Sequence, residues 1–317
     1  MDYRDVIRKN NFRTKLVVCS YILIMLCIGL LADTATHSNP HLGLLENLLA
    51  FATFQQLPIG TFIVLGVTII GILYIHFRGH KLMLAGMDVK EITAEDQEDD
   101  VEHQLYNILE ELSLSAHLGY MPKLYILETE APNAFAAGWS AKNGLVGVTR
   151  GLINQLNRQE LQAVMAHEVG HIVHGDSKLT LYVGILANVI LTVTNIFGFF
   201  LPRRGRNNDA AQKAQIILFA LNFILPIVTQ VLYLYLSRTR EYMADAVAVD
   251  LTTDNQAMIS ALEKISGIHE ENDYEKGDTG EHYRSAAYIF SKGDGIFSTH
   301  PSIENRIAAL KGEVEIK

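Results

Sequence analysis

Apolar positions along the chain gather into four long uncharged runs, residues 16–32, 58–77, 179–201 and 214–236. Each is near the roughly 20 residues that a helix needs to cross the hydrocarbon core. The first two read as spans. The last two form a hairpin that either crosses fully or is embedded without crossing. Elsewhere the pattern is that of a soluble fold. Residues 101–116 place Leu105, Ile108, Leu109, Leu112 and Leu114 at helical spacing. Residues 123–128 alternate toward a strand, and 133–139 and 145–149 read as two more, flanking Asn143-Gly144, a dipeptide favoured in tight hairpins. A small antiparallel sheet is expected. Asn157, with Glu160 three residues on, forms a capping-box pattern that opens a helix running through His171 to near Gly175. Residues 237–317 read as helices interrupted by a polar, Gly-containing loop at 269–295.

Charge orients the spans. Arg4, Arg8, Lys9, Arg13 and Lys15 precede the first run, and no A-x-A pattern follows it, so it reads as an uncleaved anchor rather than a signal peptide. Residues 33–57 hold no Lys or Arg and face outward by the positive-inside rule; Arg78 and Lys81 then face the cytoplasm. The later hairpin conflicts with that rule, because its connection carries Arg203, Arg204, Arg206 and Lys213. A net charge of −9 without a long basic stretch argues against nucleic acid as a partner. The two cysteines, Cys19 and Cys27, both lie in the first apolar run, so neither a disulfide framework nor a thiolate zinc site is expected.

The sharpest chemical signal is HEVGH, residues 167–171. Residues four apart share a helical face, so His167 and His171 can reach one metal ion while Glu168 holds the water to be activated. This is the zinc-peptidase pattern. Gly170 costs helix stability, a poor choice unless something approaches closely there. A hydrolytic zinc takes three protein ligands and leaves a position for water. The third candidates are His174 and a carboxylate in REYMADA, residues 240–246. Glu241 is preferred, since one short helix cannot easily wrap three histidines around a tetrahedral ion. Asp245, four residues on, is placed to accept the outer N–H of a zinc-bound histidine. The plainer reading makes Glu241 a salt-bridge partner of Arg238 or Arg240.

HEVGH followed by REYMADA, with two apolar spans before the first motif and two between them, resembles the HtpX group of membrane metalloproteases, related to the CAAX prenyl proteases. Two further pieces are similar: PNAFAAG, residues 132–138, and STHPSIENRI, residues 298–307. The family commonly has a second proline after His-Pro, where this chain has Ser302. The resemblance covers nearly the whole chain and implies a bacterial inner-membrane endopeptidase with one Zn2+ per chain. It further implies a cytoplasmic catalytic domain that acts on misfolded membrane or other unfolded polypeptides in quality control. The expected architecture is α+β: a membrane-anchored, mostly helical zincin-like metalloprotease domain with a small antiparallel sheet and about four transmembrane or membrane-embedded helices. Residues 1–82 form the anchor, 83–178 and 237–317 the two parts of the protease domain, and 179–236 the hairpin.

Residues 133–137 admit two readings. Asn133, Ala134, Phe135 and Ala136 can form an edge strand that pairs with an extended substrate, the small alanines permitting close approach, or simply a buried strand of the sheet. His300 can stabilise a developing oxyanion or cap the helix after Pro301, and Arg306 is a candidate for ordering that loop. Rival functions fit less well. A site-2-type intramembrane protease would put the charged start of the HEVGH helix, Asn157 to Glu160, at membrane depth. A transporter leaves the soluble stretch unexplained and offers no charged path. A structural zinc scaffold has no use for Glu168.

Overall fold

The computed structural model describes residues 3–138, 141–179, 182, 208–235, 239–271 and 301–313. In chain order these form α1 (Tyr3–His37), α2 (Leu44–Ala52), α3 (Ile59–Leu84), β1 (Val89–Ile92), α4 (Asp100–Ser115), β2 (Lys123–Leu127) and β3 (Ala134–Ala137). A single 3-10 turn at Ala141–Asn143 precedes β4 (Leu145–Thr149), α5 (Arg150–Gln155) and α6 (Arg158–His174). Then come α7 (Asp209–Tyr235), α8 (Thr239–Thr252), α9 (Asn255–Glu271) and α10 (Ile303–Leu310). The chain divides into two compact units, Met1–Arg13 with Arg78–Gly184 and Tyr233–Lys317, and Thr14–Phe77 with Ile185–Leu232.

The N-terminal apolar runs, which lie in the second of these units, belong to helices that are long and apolar enough to span a bilayer, Arg8–His37 and Ile59–Arg78. They meet closely. A side chain at Gly29 would stand 2.7 Å from the Thr61 Cα, and Asp33 of α1 accepts hydrogen bonds from the first amides of α3, Gly60 N at 2.7 Å and Thr61 N at 2.8 Å. The described residues thus hold two candidate spans against the four expected. The second run of the hairpin is helical, as α7. The first lies outside the described residues apart from Leu179 and Tyr182.

The other unit is built on a sheet of order β1-β2-β4-β3. Its pairing corrects the expectation of an antiparallel sheet, because β2 and β4 run parallel while β1–β2 and β3–β4 are antiparallel. The chain leaves β2, passes outward to β3 at the end of the sheet, and returns to pair β4 between them. Five buried residues of β4, Leu-Val-Gly-Val-Thr, suit that central place, flanked by strands on both sides. The Asn143-Gly144 hairpin is also corrected: Ala137 faces Leu145, so residues 138–144 connect the strands and Asn143 closes the 3-10 turn.

One face of α4 supplies Leu105, Ile108, Leu109 and Leu112 to the core, where they meet Leu124 and Ile126 of β2 and Leu161, Val164 and Met165 of α6. Leu114 falls off that face and is exposed. α9 closes the other side with Met258, Leu262 and Ile265. The expected loop begins later than residue 269, since α9 continues to Glu271; residues 272–300 lie outside the described residues.

Candidate functional site

The site rests on α6, and local sequence sets both of its ends. Asn157 Oδ1 accepts from the amides of Gln159 and Glu160, and Glu160 Oε2 accepts from Asn157 N at 2.9 Å, a complete capping box. Gly175 ends the helix in the left-handed conformation, φ 68°, which glycine adopts at little cost. Glu160 is itself buried and ties α6 to α9 through Ser260 Oγ at 2.6 Å and Lys264 Nζ at 2.8 Å.

α8 crosses α6 at Gly170. A Cβ there would lie 3.2 Å from Val247 Cβ and 3.3 Å from Ala244 Cα, so the glycine permits the approach that its cost implied. This crossing carries Glu241 to HEVGH. His167 Nε2 and His171 Nε2 are 3.1 Å apart. Glu241 Oε2 is 3.6 Å from the first and Oε1 3.8 Å from the second. One ligand atom from each of the three residues lies within 4.8 Å of the others, close enough to share an ion.

The outer ring nitrogens make the set chemically specific. His167 Nδ1 lies 2.8 Å from Asp245 Oδ1, and His171 Nδ1 lies 3.1 Å from Asp176 Oδ1. A carboxylate beside each Nδ1 holds the proton there and turns the Nε2 lone pair inward. Two inward lone pairs facing a third, carboxylate donor repel one another unless a cation sits among them. The donor set therefore fits a Zn2+ ion.

Without a metal ion the same acids favour a proton on the rings, which a bound cation would displace from Nε2. Burial by itself lowers the proton affinity of His171, but Asp176, through its charge and hydrogen bond, together with Glu241 and Glu168 outweighs it and lifts the ring to about 9. Burial likewise pushes Asp245 up, while Arg306 and His167 hold it below the usual carboxylate range. Glu168 stands apart. Burial raises its pKa, and neither carboxylate oxygen has a hydrogen-bond partner among the described residues.

Asp245, expected from the sequence as an outer partner, lies beside His167 Nδ1. Asp176, just beyond the helix-ending glycine, was missed; its signal is an acid five residues after His171, where the second histidine needs the same partner that Asp245 gives the first. Arg306 comes from α10 and is almost fully buried, with Nε 2.9 Å from Asp245 Oδ2 and Nη2 2.6 Å from Asp245 Oδ1. Its Nη1 is also 3.7 Å from Glu241 Oε2. His174 lies outside the trio; it is buried, and its backbone oxygen accepts from Asn10 Nδ2 at 3.1 Å. His300 lies outside the described residues, and the cap of α10 is Ser302, whose Oγ accepts from Asn305 N. Ala134, Phe135 and Ala136 lie in β3, which packs against α6; Asn133 precedes the strand, and all four are buried. β3 is at once a terminal strand and a buried one.

Residues 99–314 match the model of peptidase family M48. A protease HtpX homolog of Helicobacter acinonychis (strain Sheeba) is 42% identical over 310 residues, covering 98% of both chains. The corresponding protein of Helicobacter pylori (strain Shi470) is 42% identical over 313 residues, covering 99% of both. That of Listeria monocytogenes serotype 4a (strain HCC23) is 31% identical over 321 residues, covering 97% of this chain and 98% of its own. Among solved structures, S. mikatae Ste24p is similar at 18% identity and a TM-score of 0.47, covering 84% of this chain and 64% of that one. With the HExxH helix inside the matched region and near full-length similarity to the HtpX homologues, the chain belongs to peptidase family M48 and is a metallopeptidase.

Proposed function

We propose that this chain is a zinc-dependent endopeptidase of the bacterial inner membrane that cuts misfolded or damaged membrane proteins, with its catalytic domain facing the cytoplasm. The supporting observation is the convergence of His167, His171 and Glu241 beside the buried carboxylate of Glu168, which has no hydrogen-bond partner among the described residues. His167, His171 and Glu241 would hold one Zn2+, whose Lewis acidity would lower the pKa of a water to about 7 and polarise the scissile carbonyl. Glu168 accepts the proton of the attacking water and returns it to the nitrogen of the leaving amine. Asp245 and Asp176 keep the rings in the tautomer that presents Nε2, and Arg306 fixes Asp245. Residues 133–136 would offer backbone groups to an extended polypeptide along the end of the sheet. His300 is proposed to face the developing oxyanion.

The membrane part of this reading draws on the two candidate spans, the basic N-terminal segment and the apolar hairpin at 179–236, which together give about four embedded helices. N- and C-termini then share the cytoplasmic side. The experiment that tests the chemistry is Glu168→Gln, which keeps size and helix but cannot accept a proton at neutral pH. Zinc should remain near one per chain while cleavage of a labelled unfolded protein falls by at least about 10²–10⁴-fold. A Gln variant that holds zinc and cleaves within a few-fold of wild type overturns the assignment.

A further inference from the structure

The segment between the two N-terminal spans is built, not slack. Asn47 of α2 is fully buried, and its side chain bridges the backbone of Asn39, Leu42 and Gly43. Glu46, the sole charge on α2, turns back to cap Gly43 N at 2.8 Å. At the far end Asp33 clamps the start of α3.

Yet this ordered segment also exposes large apolar side chains, among the exposed polar residues His41, Glu46, Thr53 and Gln55. Leu45 and Leu49 are one helical turn apart on α2, and Phe54 and Leu57 follow; all four are more than half exposed. Phe54 holds φ at 61°, a left-handed conformation that a bulky side chain adopts only at a cost, and its ring stacks on Phe62 of α3 with centroids 6.0 Å apart. That ring contact joins the patch to exposed Ile59, Phe62 and Ile63 of α3. Residues 33–57 contain no Lys or Arg that would draw an acidic partner.

We infer that α2 lies flat in the headgroup region of the outward-facing leaflet, with Leu45, Leu49, Phe54 and Leu57 sunk ~5–10 Å toward the acyl chains. Phospholipid is the occupant because the patch is continuous with the apolar face of a span, and a surface whose neighbours lie in lipid is covered by lipid. The inference rests on the reading of α3 as a span. Held by Asn47 and Asp33, the segment then acts as a fixed stop that sets the depth of α1 and α3 in the bilayer.

The test reconstitutes the full chain, with its one tryptophan, Trp139, replaced by phenylalanine, at high lipid-to-protein ratio. Two reporters are made separately: Leu49→Trp on α2 and Ile69→Trp midway along the α3 span. Vesicles carry phosphatidylcholine brominated either near the headgroup or near the chain ends, and acrylamide reports water. The expected result is a ratio of shallow to deep quenching above one for Leu49→Trp and below one for Ile69→Trp, with little acrylamide quenching of either. If Ile69→Trp behaves so but Leu49→Trp is quenched by acrylamide alone, the face is wet and awaits a protein, and the inference fails while the span stands. Shielding of Leu49→Trp from both lipid and acrylamide means that a second copy covers it, and also overturns the inference. An Ile69→Trp that bromolipid does not quench removes the span itself.

Discussion

Arg306 grips Asp245 with two prongs, Nε on Oδ2 at 2.9 Å and Nη2 on Oδ1 at 2.6 Å, and both side chains are buried. The pair lies behind His167, so the carboxylate that receives the ring N–H is itself held in place by a planar cation whose fork matches it. Removing one partner of a buried pair leaves an uncompensated charge, at a cost of about 3–5 kcal/mol. Arg306→Met should therefore lower stability by that order and weaken zinc binding, measured by unfolding with and without added zinc. The double variant Asp245→Asn with Arg306→Met should recover part of the loss of stability, because the Asp245 charge left behind by Arg306 is removed with it. Additive losses would show that the two residues act independently.

Asp176 does for His171 what Asp245 does for His167. Asp176→Asn keeps an acceptor oxygen but loses the charge, so zinc affinity measured by competition with a chelator should fall about 10–100-fold. Far-UV circular dichroism should be unchanged. Wild-type affinity in this variant would reduce the contact to local packing.

The third donor is tested by a contrast. Glu241→Ala should empty the site, whereas His174→Ala should keep its metal, since His174 lies outside the group of converging ligand atoms. Zinc per chain, read by atomic emission on purified protein, separates the two. The reverse result exchanges the assignments.

Gly170 sets the spacing of α6 and α8. Gly170→Val would place a branched side chain where a Cβ alone would stand 3.2 Å from Val247 Cβ, driving α8 outward and Glu241 with it. Zinc affinity should drop while helix content persists. A variant with normal zinc affinity would mean that α8 is free to adjust.

Glu160 predicts a pH dependence. Burial alone would raise its pKa, but Lys264, Ser260 and the amide of Asn157 outweigh it and hold the carboxyl below its ordinary 4.5. With the folded value below the unfolded one, the stabilisation is complete above the unfolded pKa and is lost as pH falls through the folded value. The stability gap between wild type and Glu160→Gln, from urea unfolding, should be flat from neutral pH to about 5 and close as the pH falls further. A gap that stays constant through the acid range would contradict the role of this charge.

What the sequence by itself determined is whatever neighbours in the chain decide. The capping box of Asn157 and Glu160, the αL stop at Gly175, the pairing of His167 with His171 on one face, the positions of β2, β3 and β4 and the two N-terminal apolar helices all follow from residues within a few turns of one another, whereas β1 at Val89–Ile92 lies in a stretch that reads as polar. The cost of Gly170 even signalled that something must approach there. Tertiary structure decided the rest, because each remaining feature joins distant residues that no local periodicity links. The parallel pairing of β2 with β4 depends on which strand takes the sheet centre, a competition between burial patterns that are all apolar. Bringing Glu241 within 3.6 Å of His167 needed α8 to cross at Gly170. Arg306 carries no signal in its own stretch of α10; its place follows from a buried carboxylate 61 positions earlier that has to be neutralised.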